Sequence, residues 1–506
     1  MQILKDYING EWVENTGGKY LDVTNPSTGE VIAQVPVTTP EHMEQAIAAA
    51  NEAFKTWSVY PMTQKVQYLF QFRDEMVNRR EEFAHLISKD QGKHFDDALA
   101  EMDRLIQATE TCCGYPLVMR GDKIMISTRV EAEVRREPLG VVGGIAPFNF
   151  PALICGWFVP FALITGNTMV YKASEQSPIF MQEIAELFDR IGLPKGVFNL
   201  VNGDVPVVTQ MLDSPGIAAM AFVGSSHVGQ IIAEGSAKTN KKAMILAGAK
   251  NSIIVEKSVN ISGFVKNFKN SCFGAAGERC MAAANVIVEE EVYDSVKAAM
   301  VRTAQETPVG DANDPNVYMG PVISDAAVER INGFIERAEA EGGKIIVDGR
   351  NVKESLPSEL QGGYFVGPTI IEGVTKDFEI AQEEVFGPVV SLIKVKSYKE
   401  GIDIINESKY GNGGSIFTES GVVAQDFLIN TNSGMIGVNI GVPASMPYMP
   451  FGGTKGSLMG GHYKAQISDA VEFFTKRKAC TIQYFGPEDV DWTKDYISEF
   501  NVNKTE

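Results

Sequence analysis

The chain has 506 residues, of which 44% are hydrophobic and 22% are charged, as is typical of a soluble globular protein with two or three domains. Its 45 basic and 64 acidic side chains give a net charge of −19. A charge of this sign disfavours binding to nucleic acid and to anionic membranes, so we expect neither as a partner.

The six cysteines form no CxxC pair and no spacing suited to zinc or to a disulfide framework. The first residues, Met1–Asp6, show no basic region followed by an apolar segment, so we expect no signal peptide. Both observations favour a reducing compartment, and we expect a cytoplasmic protein without a metal site.

The predicted elements begin with short alternating runs in residues 1–40, which are typical of strands, and continue with a helical pattern over residues 41–115. Residues 123–136 alternate residue by residue, which indicates a half-exposed strand or hairpin. Residues 138–171 carry no charge, but the prolines and asparagines in this run favour a buried strand, loop and helix over a transmembrane segment.

Apolar strands alternate with helical segments between residues 140 and 256, and the same alternation repeats over residues 257–440. This rhythm predicts two α/β domains, each with a parallel sheet and crossover helices. The segment from Ala470 to Tyr484 alternates again, and we expect it to form a strand. With the 123–136 hairpin it would make a small sheet outside both domains, whose exposed edges suit a contact between copies of the chain.

A segment rich in glycine and alanine, Phe273-Gly-Ala-Ala-Gly-Glu-Arg279-Cys280-Met281, leads to a single cysteine with a fixed cation beside it. Small residues let the main chain approach a substrate, and Arg279 supplies a charge that stabilises a thiolate. The pattern indicates an enzyme nucleophile at Cys280. A buried structural cysteine in a turn is the alternative interpretation.

Asn149 lies between two aromatic residues and two prolines in the segment Pro147-Phe-Asn-Phe-Pro151. Burying its side-chain amide without hydrogen-bond partners would cost about 1–3 kcal/mol. A rigid amide donor aimed at a developing alkoxide would explain this position. The alternative is an asparagine that forms a turn.

Two further segments follow predicted strands and suit a nucleotide. In residues 222–229, Gly224 permits a tight turn, and Ser225 and the helix that follows present hydrogen-bond donors to an anion. Lys172 and Glu175 lie just past another strand, where ligands bind in open α/β sheets, and the acidic residue favours NAD over NADP. An ordinary N-capped turn and a solvated Lys–Glu pair are the alternatives.

These motifs, together with Glu383-Glu384-Val-Phe386-Gly-Pro and Pro450-Phe-Gly-Gly453, resemble the aldehyde dehydrogenase superfamily in order and spacing over nearly the whole chain. The resemblance implies a Rossmann-type NAD-binding domain, an α/β catalytic domain and a small bridging β-sheet. It places the NAD-binding domain at residues 1–121 and 138–246, the catalytic domain at 247–445, and the bridging segments at 122–137 and 446–506. It also implies a homo-oligomer, either a dimer or a tetramer.

The resemblance assigns Cys280 as the nucleophile and Asn149, with the Cys280 main-chain N–H, as the oxyanion hole. It also implies NAD as the cofactor. The NAD-binding positions that it implies are Ala146, Phe148, Lys172, Glu175, Gly224, Ser225, Glu384 and Phe386. Among them, Glu384 and Phe386 fall on the positions that hold the nicotinamide ribose and ring.

One position departs from most members of that superfamily. They carry Glu-Leu-Gly-Gly-Lys, in which the glutamate activates the hydrolytic water, whereas this chain reads Leu246-Ala-Gly-Ala-Lys250-Asn251. Leucine transfers no proton, and general-base help is typically worth about 10²–10⁴-fold. Water should therefore attack an acyl-enzyme slowly, and a thiol acceptor such as coenzyme A (CoA) would replace it because a thiol ionises more readily.

The Leu246 motif, Arg279 and Arg104 together resemble the CoA-acylating branch of the superfamily, which acts on methylmalonate or malonate semialdehyde. There, arginines at the positions of Arg104 and Arg279 grip the substrate carboxylate, a task suited to a bidentate guanidinium. A surface charge at Arg104 and a purely electrostatic role for Arg279 are the alternatives. The Arg104 helix lacks the Gly and Glu that usually follow in that branch, and Pro450-Phe-Gly-Gly-Thr is closer to hydrolytic members.

The sequence therefore predicts NAD-dependent oxidation of a short 3-oxo acid, with CoA acylation and decarboxylation through a thioester on Cys280. The product would be propionyl-CoA or acetyl-CoA. The alternatives are a hydrolytic aldehyde dehydrogenase with Glu278 or Glu384 as base, and a non-catalytic scaffold of the same fold. The presence of Cys280, Asn149 and Lys172 argues against the scaffold.

Overall fold

Two large and two small β-sheets organise the chain in the computed structural model, which describes residues 1–117, 119–127, 129–444 and 446–485. The strands are β1 (Gln2–Ile3), β2 (Asp6–Ile8), β3 (Glu11–Val13), β4 (Tyr20–Thr24), β5 (Val31–Pro36), β6 (Lys123–Ser127), β7 (Val130–Pro138), β8 (Val141–Ile145), β9 (Thr168–Lys172), β10 (Phe198–Val201), β11 (Ala219–Val223), β12 (Lys242–Leu246), β13 (Asn251–Val255), β14 (Ala283–Glu289), β15 (Lys344–Val347), β16 (Thr369–Glu372), β17 (Val389–Val395), β18 (Gly413–Phe417), β19 (Met435–Val438), β20 (Leu458–Gly460) and β21 (Thr475–Gln483).

Helices connect most of these strands. The α-helices are α1 (Pro40–Trp57), α2 (Met62–Asn78), α3 (Arg80–Gln91), α4 (Phe95–Cys113), α5 (Pro151–Ile164), α6 (Ile179–Arg190), α7 (Val205–Asp213), α8 (Ser226–Lys238), α9 (Ile261–Phe273), α10 (Tyr293–Gln305), α11 (Asp325–Ala340), α12 (Glu379–Gln382), α13 (Tyr398–Glu407), α14 (Gly421–Asn430) and α15 (Ile467–Phe474). Short 3-10 turns cover Tyr115–Leu117, Gly274–Gly277, Val352–Ser355 and Ser358–Leu360.

The first large sheet has the strand order β20-β12-β11-β8-β9-β10-β2-β3. Its strands from β12 to β10 run parallel, and β20 and β2 pair antiparallel at the two sides. The central strands β8 and β9 are buried along their whole length because helices such as α1 and α5 pack against them. The predicted alternation of strands and helices between residues 140 and 256 is confirmed.

The second large sheet has the order β15-β16-β17-β14-β13-β18-β19 and is parallel except for the β15–β16 pair. Apolar side chains of β13, β14 and β17 form its core with helices α9, α10 and α13. The predicted second α/β alternation over residues 257–440 is confirmed. The segment between the two sheets, from the end of β12 to the start of β13, contains only residues 247–250.

A small sheet outside both large ones joins β7 antiparallel to β6 and to β21, as the alternating sequence patterns predicted. The prediction was wrong at one end, because Ala470–Phe474 belong to α15 and the strand begins at Thr475. Ala470 and Val471 precede Phe474 by four and three residues, the spacing of one helical face, and all three side chains are buried.

One of the two segments expected to bridge subunits also contributes a strand to the first large sheet. Within residues 446–485, strand β20 adds to the edge of the first large sheet beside β12. The remainder of the predicted bridging segment, residues 486–506, lies outside the described residues.

The uncharged run over residues 138–171 folds into β8, α5 and β9. Nearly every side chain of α5 is buried against protein, including Trp157 and Phe158. Within the described ranges, no helix combines the length and the apolar character needed to cross a bilayer. The interpretation of this run as a buried strand, loop and helix is confirmed.

Candidate active site

The loop that carries Cys280 follows helix α9 and precedes strand β14, and its main chain adopts an unusual conformation. Ala275 and Ala276 have φ angles of 49° and 52°, in the left-handed region that costs a non-glycine residue about 1–2 kcal/mol. The Ala275 N–H donates to Asp97 Oδ2 at 2.9 Å, which holds the first of these residues in place. The chain therefore retains local strain immediately before the cysteine.

Gly277 brings the same loop into contact with the loop after Glu384. A Cβ atom at Gly277, where φ is 72°, would lie 2.2 Å from the carbonyl oxygen of Gly387. Only glycine fits a backbone contact this close, so the glycine in the sequence motif has a packing reason.

Two asparagine side chains fix the main chain of Cys280 itself. Asn251 Nδ2 and Asn412 Nδ2 donate to the Cys280 carbonyl oxygen at 2.8 Å and 2.9 Å. Sequence reasoning assigned neither residue a role. Asn251 begins the buried strand β13, and a polar amide at the start of an apolar strand is the signal that was available.

The Cys280 thiol is half-buried, and its surroundings favour the protonated form. Burial and the nearby Glu384 carboxylate raise its pKa to about 12, while the N–H groups of Cys280 and Met281 and the Arg279 charge lower it. A thiol with such a pKa needs a proton acceptor before it can attack carbon.

The structure brings Asn149 next to the cysteine loop. Asn149 is 5% exposed, and its Nδ2 donates to the Glu278 carbonyl oxygen at 2.9 Å. Since a primary amide has two N–H groups, this hydrogen bond leaves the second one to bind another acceptor. The two predicted catalytic side chains thus belong to segments joined by a direct hydrogen bond.

A buried ion pair that sequence reasoning missed supports the Asn149 loop. Lys93 Nζ lies 2.6 Å from Glu101 Oε2, and both side chains are fully buried. Lys93 also donates to the Asn149 carbonyl oxygen, and Glu101 Oε1 accepts the N–H groups of Ala152 and Leu153 at 2.7 Å and 3.0 Å. The pair therefore joins both sides of the Pro147–Pro151 loop to helix α4 and the turn before it.

Glu278, one of the two carboxylates considered as a hydrolytic base, is fully buried. Its Oε1 accepts the Ile323 N–H at 3.2 Å, and its Oε2 accepts from Gln91 Nε2 at 3.4 Å. Burial raises the pKa of Glu278 to about 8. The carboxyl group therefore binds structural partners on the side of the loop formed by Gln91 and Ile323.

The two arginines predicted to bind a carboxylate have separate partners. Arg279 forms a salt bridge with Asp97 and donates to Asn270 Oδ1 at 3.0 Å. Arg104 Nη1 donates to Gln107 Oε1 at 3.1 Å and contacts Met446 Sδ. No hydrogen bond or ion pair among the described residues joins Arg104 to Arg279 or its partners.

Lys172 and Ser225 lie at the carboxyl edge of the first large sheet. Lys172 ends β9, is buried, and contacts Glu175 Oε2 at 2.6 Å. Ser225 follows β11 and caps α8, its Oγ accepting the Val228 N–H at 3.4 Å. At Gly224 a Cβ atom would lie 2.5 Å from the Phe222 ring, so a larger residue in this turn would have to displace that ring.

The remaining predicted NAD-binding residues connect this edge to the second sheet. The Ala146 N–H donates to the Lys172 carbonyl oxygen at 3.1 Å. The Phe148 and Phe386 rings meet edge to face with centroids 5.9 Å apart. Phe386 has a φ of 55°, another left-handed non-glycine residue in the site.

Glu384 lies in the crevice between the sheets, where its Oε1 accepts the Ala249 N–H at 2.9 Å. Burial raises the pKa of this carboxyl to about 7. A Cβ atom at Gly248 would lie 2.8 Å from Glu384 Oε2 and 2.6 Å from Ser226 Oγ, so the glycine keeps the crevice open beside the α8 N-terminus. This arrangement fits a dinucleotide, because helix N–H groups that suit a phosphate and a carboxylate that could accept hydroxyl groups face one crevice.

Leu246 ends strand β12, where it pairs with Leu458 of β20 and is buried. It belongs to the same apolar cluster as Met281, and Cys280 packs against that cluster. The position therefore supplies apolar packing and no proton acceptor. Within the part of the chain that the structure describes, no cluster of His, Cys, Asp and Glu is arranged to hold a metal ion.

Comparisons with known proteins agree with the motifs. Residues 12–480 match the model of the aldehyde dehydrogenase family. The chain is 42% identical to the malonate-semialdehyde dehydrogenase of Bacillus velezensis over 486 residues, 96% of this chain and 98% of that one. It is also 42% identical to the malonate-semialdehyde dehydrogenase of Bacillus subtilis over 487 residues, 96% of this chain and 98% of that one.

Solved structures agree as well. The methylmalonate-semialdehyde dehydrogenase of Oceanimonas doudoroffii is 36% identical, with a TM-score of 0.93 over 96% of this chain and 99% of that one. A Sinorhizobium meliloti protein, described as a methylmalonate-semialdehyde dehydrogenase complexed with NAD, is 31% identical, with a TM-score of 0.94 over 97% of this chain and 99% of that one. The resemblance and the fold class predicted from the motifs are confirmed, and the chain belongs to the aldehyde dehydrogenase family.

Proposed function

We propose that this chain catalyses the NAD-dependent, CoA-acylating oxidation of malonate semialdehyde or methylmalonate semialdehyde. The observation that carries the proposal is Leu246, an apolar residue at the end of β12 where most family members have their general base. The names of the relatives at 42% identity support the choice of substrate class.

In the oxidative half of the reaction, the Cys280 thiolate attacks the aldehyde carbon. The free N–H of the Asn149 amide and the Cys280 main-chain N–H stabilise the resulting oxyanion. NAD, when bound, accepts the hydride, and the acyl group then remains on Cys280 as a thioester. We assign the adenosine and pyrophosphate to Lys172, Glu175 and Ser225 and their neighbours Ala146 and Gly224.

At the other end of the cofactor, we assign the nicotinamide ribose to Glu384 and the nicotinamide ring to Phe386. The Phe148 ring packs against the Phe386 ring. The Glu384 carboxylate already accepts one main-chain N–H, so its second oxygen is the one that would accept ribose hydroxyls. The structure of the Sinorhizobium meliloti relative with NAD supports this cofactor.

The second half of the reaction transfers the acyl group to CoA. A carboxylate β to the thioester leaves as CO₂ or bicarbonate, because the thioester carbonyl accepts the electron pair as an enolate in the oxyanion hole. Protonation of the enolate carbon gives an acetyl or propionyl group. The CoA thiolate then attacks this thioester and releases the Cys280 thiolate.

We propose that Arg279 and Arg104 bind the substrate carboxylate. The Arg279 guanidinium donates to Asp97 Oδ1 and Asn270 Oδ1, so a bound substrate carboxylate would share the guanidinium with these two partners. Such fixing lowers the entropy cost of binding a carboxylate. Arg104 would have to exchange its contact with Met446 for the substrate.

For the larger organisation, we propose that the first large sheet belongs to an NAD-binding domain over residues 1–121 and 138–246, and the second to a catalytic domain over 247–445. Segments 122–137 and 446–506 would join protomers of a dimer or tetramer. The exposed side chains of Ile124, Met125 and Ile126 on edge strand β6 support this contact. The free cysteines suit a reducing cytoplasm.

The test is NADH formation from malonate semialdehyde with and without CoA. We expect one NADH per active site without CoA and continuous turnover with it. Sustained turnover at the same rate without CoA would show that water discharges the thioester and would refute the acylating reaction. Propanal, which has no carboxylate, should be a poor substrate in both conditions.

A hydrolytic aldehyde dehydrogenase is the second candidate, because Glu384 is a carboxyl with a pKa of about 7 and interacts with Cys280. The CoA-omission assay separates the two reactions. The same burst of NADH distinguishes both from a non-catalytic scaffold, which would produce none.

A further inference from the structure

Helix α4 carries three charged side chains that contact three different parts of the site. Asp97, Glu101 and Arg104 are separated by four and three residues, the spacing of one helical face. Glu101 binds the N–H groups at the start of α5, and Arg104 contacts Met446. Asp97 instead binds the loop that carries Cys280. The proposed mechanism gives this carboxylate no role of its own.

The two oxygens of Asp97 bind the two ends of one short segment. Oδ2 accepts the Ala275 N–H at 2.9 Å, and Oδ1 accepts from Arg279 Nη2. Arg279 lies four residues after Ala275 and directly precedes Cys280. A carboxylate can accept both hydrogen bonds at once, because each of its oxygens is an acceptor. One side chain therefore joins the segment before the nucleophile to the cation beside it.

The segment that Asp97 binds is strained. Ala275 and Ala276 have φ angles of 49° and 52°, which persist only where surrounding contacts fix them. Asp97 Oδ2 binds the main chain of the first of these residues. Loss of this hydrogen bond frees the segment to relax towards ordinary φ angles and to shift Cys280. Asp97 therefore stabilises the conformation that places the thiol.

The same side chain limits where the Arg279 guanidinium can lie. Nη1 donates to Asn270 Oδ1 at 3.0 Å, and a Cβ atom at Gly274 would lie 2.6 Å from both Nη1 and Nη2. The guanidinium thus lies against the Gly274 main chain. The Arg279 and Asp97 side chains are 13% and 23% exposed, so water screens this ion pair only in part. Among the described residues Arg279 Nε makes no hydrogen bond, which leaves a donor for a substrate carboxylate.

We propose that Asp97 is a positioning residue that sets the separation between the groups that bind the two ends of the substrate. It orients Arg279, to which we assign the carboxylate, and it fixes the segment that leads to Cys280, to which we assign the aldehyde. The separation is therefore short and constant, and it favours a 3-oxo acid over a longer homologue. The choice of chain length rests on the proposed function, whereas the fixed loop does not.

The rigidity of this arrangement is what makes it selective. A displacement of about 1 Å between reacting groups can cost about 10²-fold in rate. One additional methylene group in the substrate requires a displacement of this order between Arg279 and Cys280. While Asp97 binds both ends of the segment, the loop cannot supply that displacement cheaply. Without Asp97 the loop can adjust, so the longer substrate loses less than the shorter one.

The expected signature of Asp97→Ala is a loss of chain-length discrimination. The measurement compares malonate semialdehyde with its longer homologue succinate semialdehyde, as the rate of the NADH burst per substrate concentration without CoA. The ratio of the two values should fall by about tenfold or more. Asp96→Ala removes the same charge from the same helical turn, where the side chain is 84% exposed, and should keep the wild-type ratio within about twofold. Asp97→Asn keeps the shape but offers only one acceptor oxygen, so it should lower the ratio as well.

A variant that lacks Arg279 separates the two contacts of Asp97. If Asp97 acts on the carboxylate through Arg279, adding Asp97→Ala to Arg279→Met should change the ratio by less than about twofold. The burst itself should still slow in the double variant, because Ala275 loses its acceptor in both backgrounds. Losses in the ratio that multiply would show that Asp97 affects the substrate without Arg279, and they would overturn the proposal.

Hydrogen exchange of the peptide that covers residues 273–281 tests the loop without any substrate. We expect this peptide to exchange about tenfold faster in Asp97→Ala than in wild type or Asp96→Ala. A wild-type exchange rate in folded Asp97→Ala, or an unchanged ratio of the two semialdehydes, would overturn the positioning role. If wild type itself shows no preference for malonate semialdehyde, the proposed substrate class fails, and the exchange rates still decide whether Asp97 fixes the loop.

Discussion

Lys93 and Glu101 form a fully buried ion pair that holds the Asn149 loop from two directions. Lys93 donates to the Asn149 carbonyl oxygen, and Glu101 accepts the first N–H groups of helix α5. Burying two charges is expensive, and complete hydrogen bonding offsets that cost. The pair therefore fixes the position of an amide that we assign to the oxyanion hole.

Replacing Lys93 by Met should lower the free energy of unfolding by about 3–5 kcal/mol, because Glu101 loses its buried partner. The burst rate should fall more than KM rises, since the Asn149 loop loses an anchor. Urea unfolding and single-turnover kinetics measure both effects. Lys55→Met, which removes an exposed pair with Glu52, is the control and should unfold like wild type. Equal unfolding curves for the two variants would contradict this account.

Asn149→Ala should slow the NADH burst by about 10²–10³-fold, because it removes one donor to the oxyanion. Asn149→Asp, similar in size, puts a negative acceptor where the donor was and should be at least as slow. Stopped-flow absorbance of NADH measures the rate. A burst near the wild-type rate in either variant would mean that Asn149 only shapes its turn.

Leu246→Glu should create turnover without CoA. A carboxylate at the end of β12 would supply the missing base for water, and such help is worth about 10²–10⁴-fold. Leu246→Gln has almost the same shape without a base, so it carries the same packing cost and should stay dependent on CoA. Steady-state NADH formation without CoA compares them. Equal rates for the two variants would show that water is excluded for another reason.

The buried Glu278 carboxyl should make the protein less stable at higher pH. Burial raises its pKa to about 8 in the folded protein, above the ordinary value of 4.5. The folded state thus binds more protons between these values, and its stability falls as pH rises from about 4.5 to about 8.

Glu278→Gln mimics the neutral carboxyl, so its melting temperature should fall less than that of wild type between pH 5 and pH 8. Glu336→Gln, an exposed change on α11, should follow the wild-type curve. A Glu278→Gln curve parallel to wild type over this range would show that the carboxyl is already ionised when folded.

Arg279→Met should raise KM for malonate semialdehyde by about 10–100-fold, the range expected when a charge-assisted hydrogen bond is lost. KM for propanal should change little, because that aldehyde has no carboxylate. Arg302→Met, an exposed change on α10, controls for net charge. Equal KM increases for both aldehydes would assign Arg279 to the thiol or to the loop instead of the substrate.

Most of the fold was predictable because its central strands are short, apolar and separated by helices. Strands β8 and β9 fall within the predicted alternation over residues 140–256, where Gly140 precedes β8 and Lys172 ends β9. Residues 470–474 were predicted wrongly because five residues satisfy a two-residue and a 3.6-residue period almost equally well. Burial against α5 and β12 decides between them, and burial is not visible in one sequence.

The residues of the candidate site were also predictable only in part. Motif residues such as Cys280, Asn149 and Glu384 stand out because their chemistry is unusual for their local surroundings. Asn412 and Asp97 do not, since their importance arises from contacts with segments 132 and 178 residues away in the chain. A charged residue in a helical pattern gives no sign of whether it will be buried, as Glu101 is.

The close approach of Gly277 to Gly387 means that two main chains, rather than side chains, set the separation between the loop of Cys280 and the loop of Phe386, the residue to which we assign the nicotinamide ring. Substitutions of other side chains in the site should therefore leave the separation of these two loops unchanged. The main chain, which point substitutions change least, sets the distance between the proposed nucleophile and the proposed nicotinamide position.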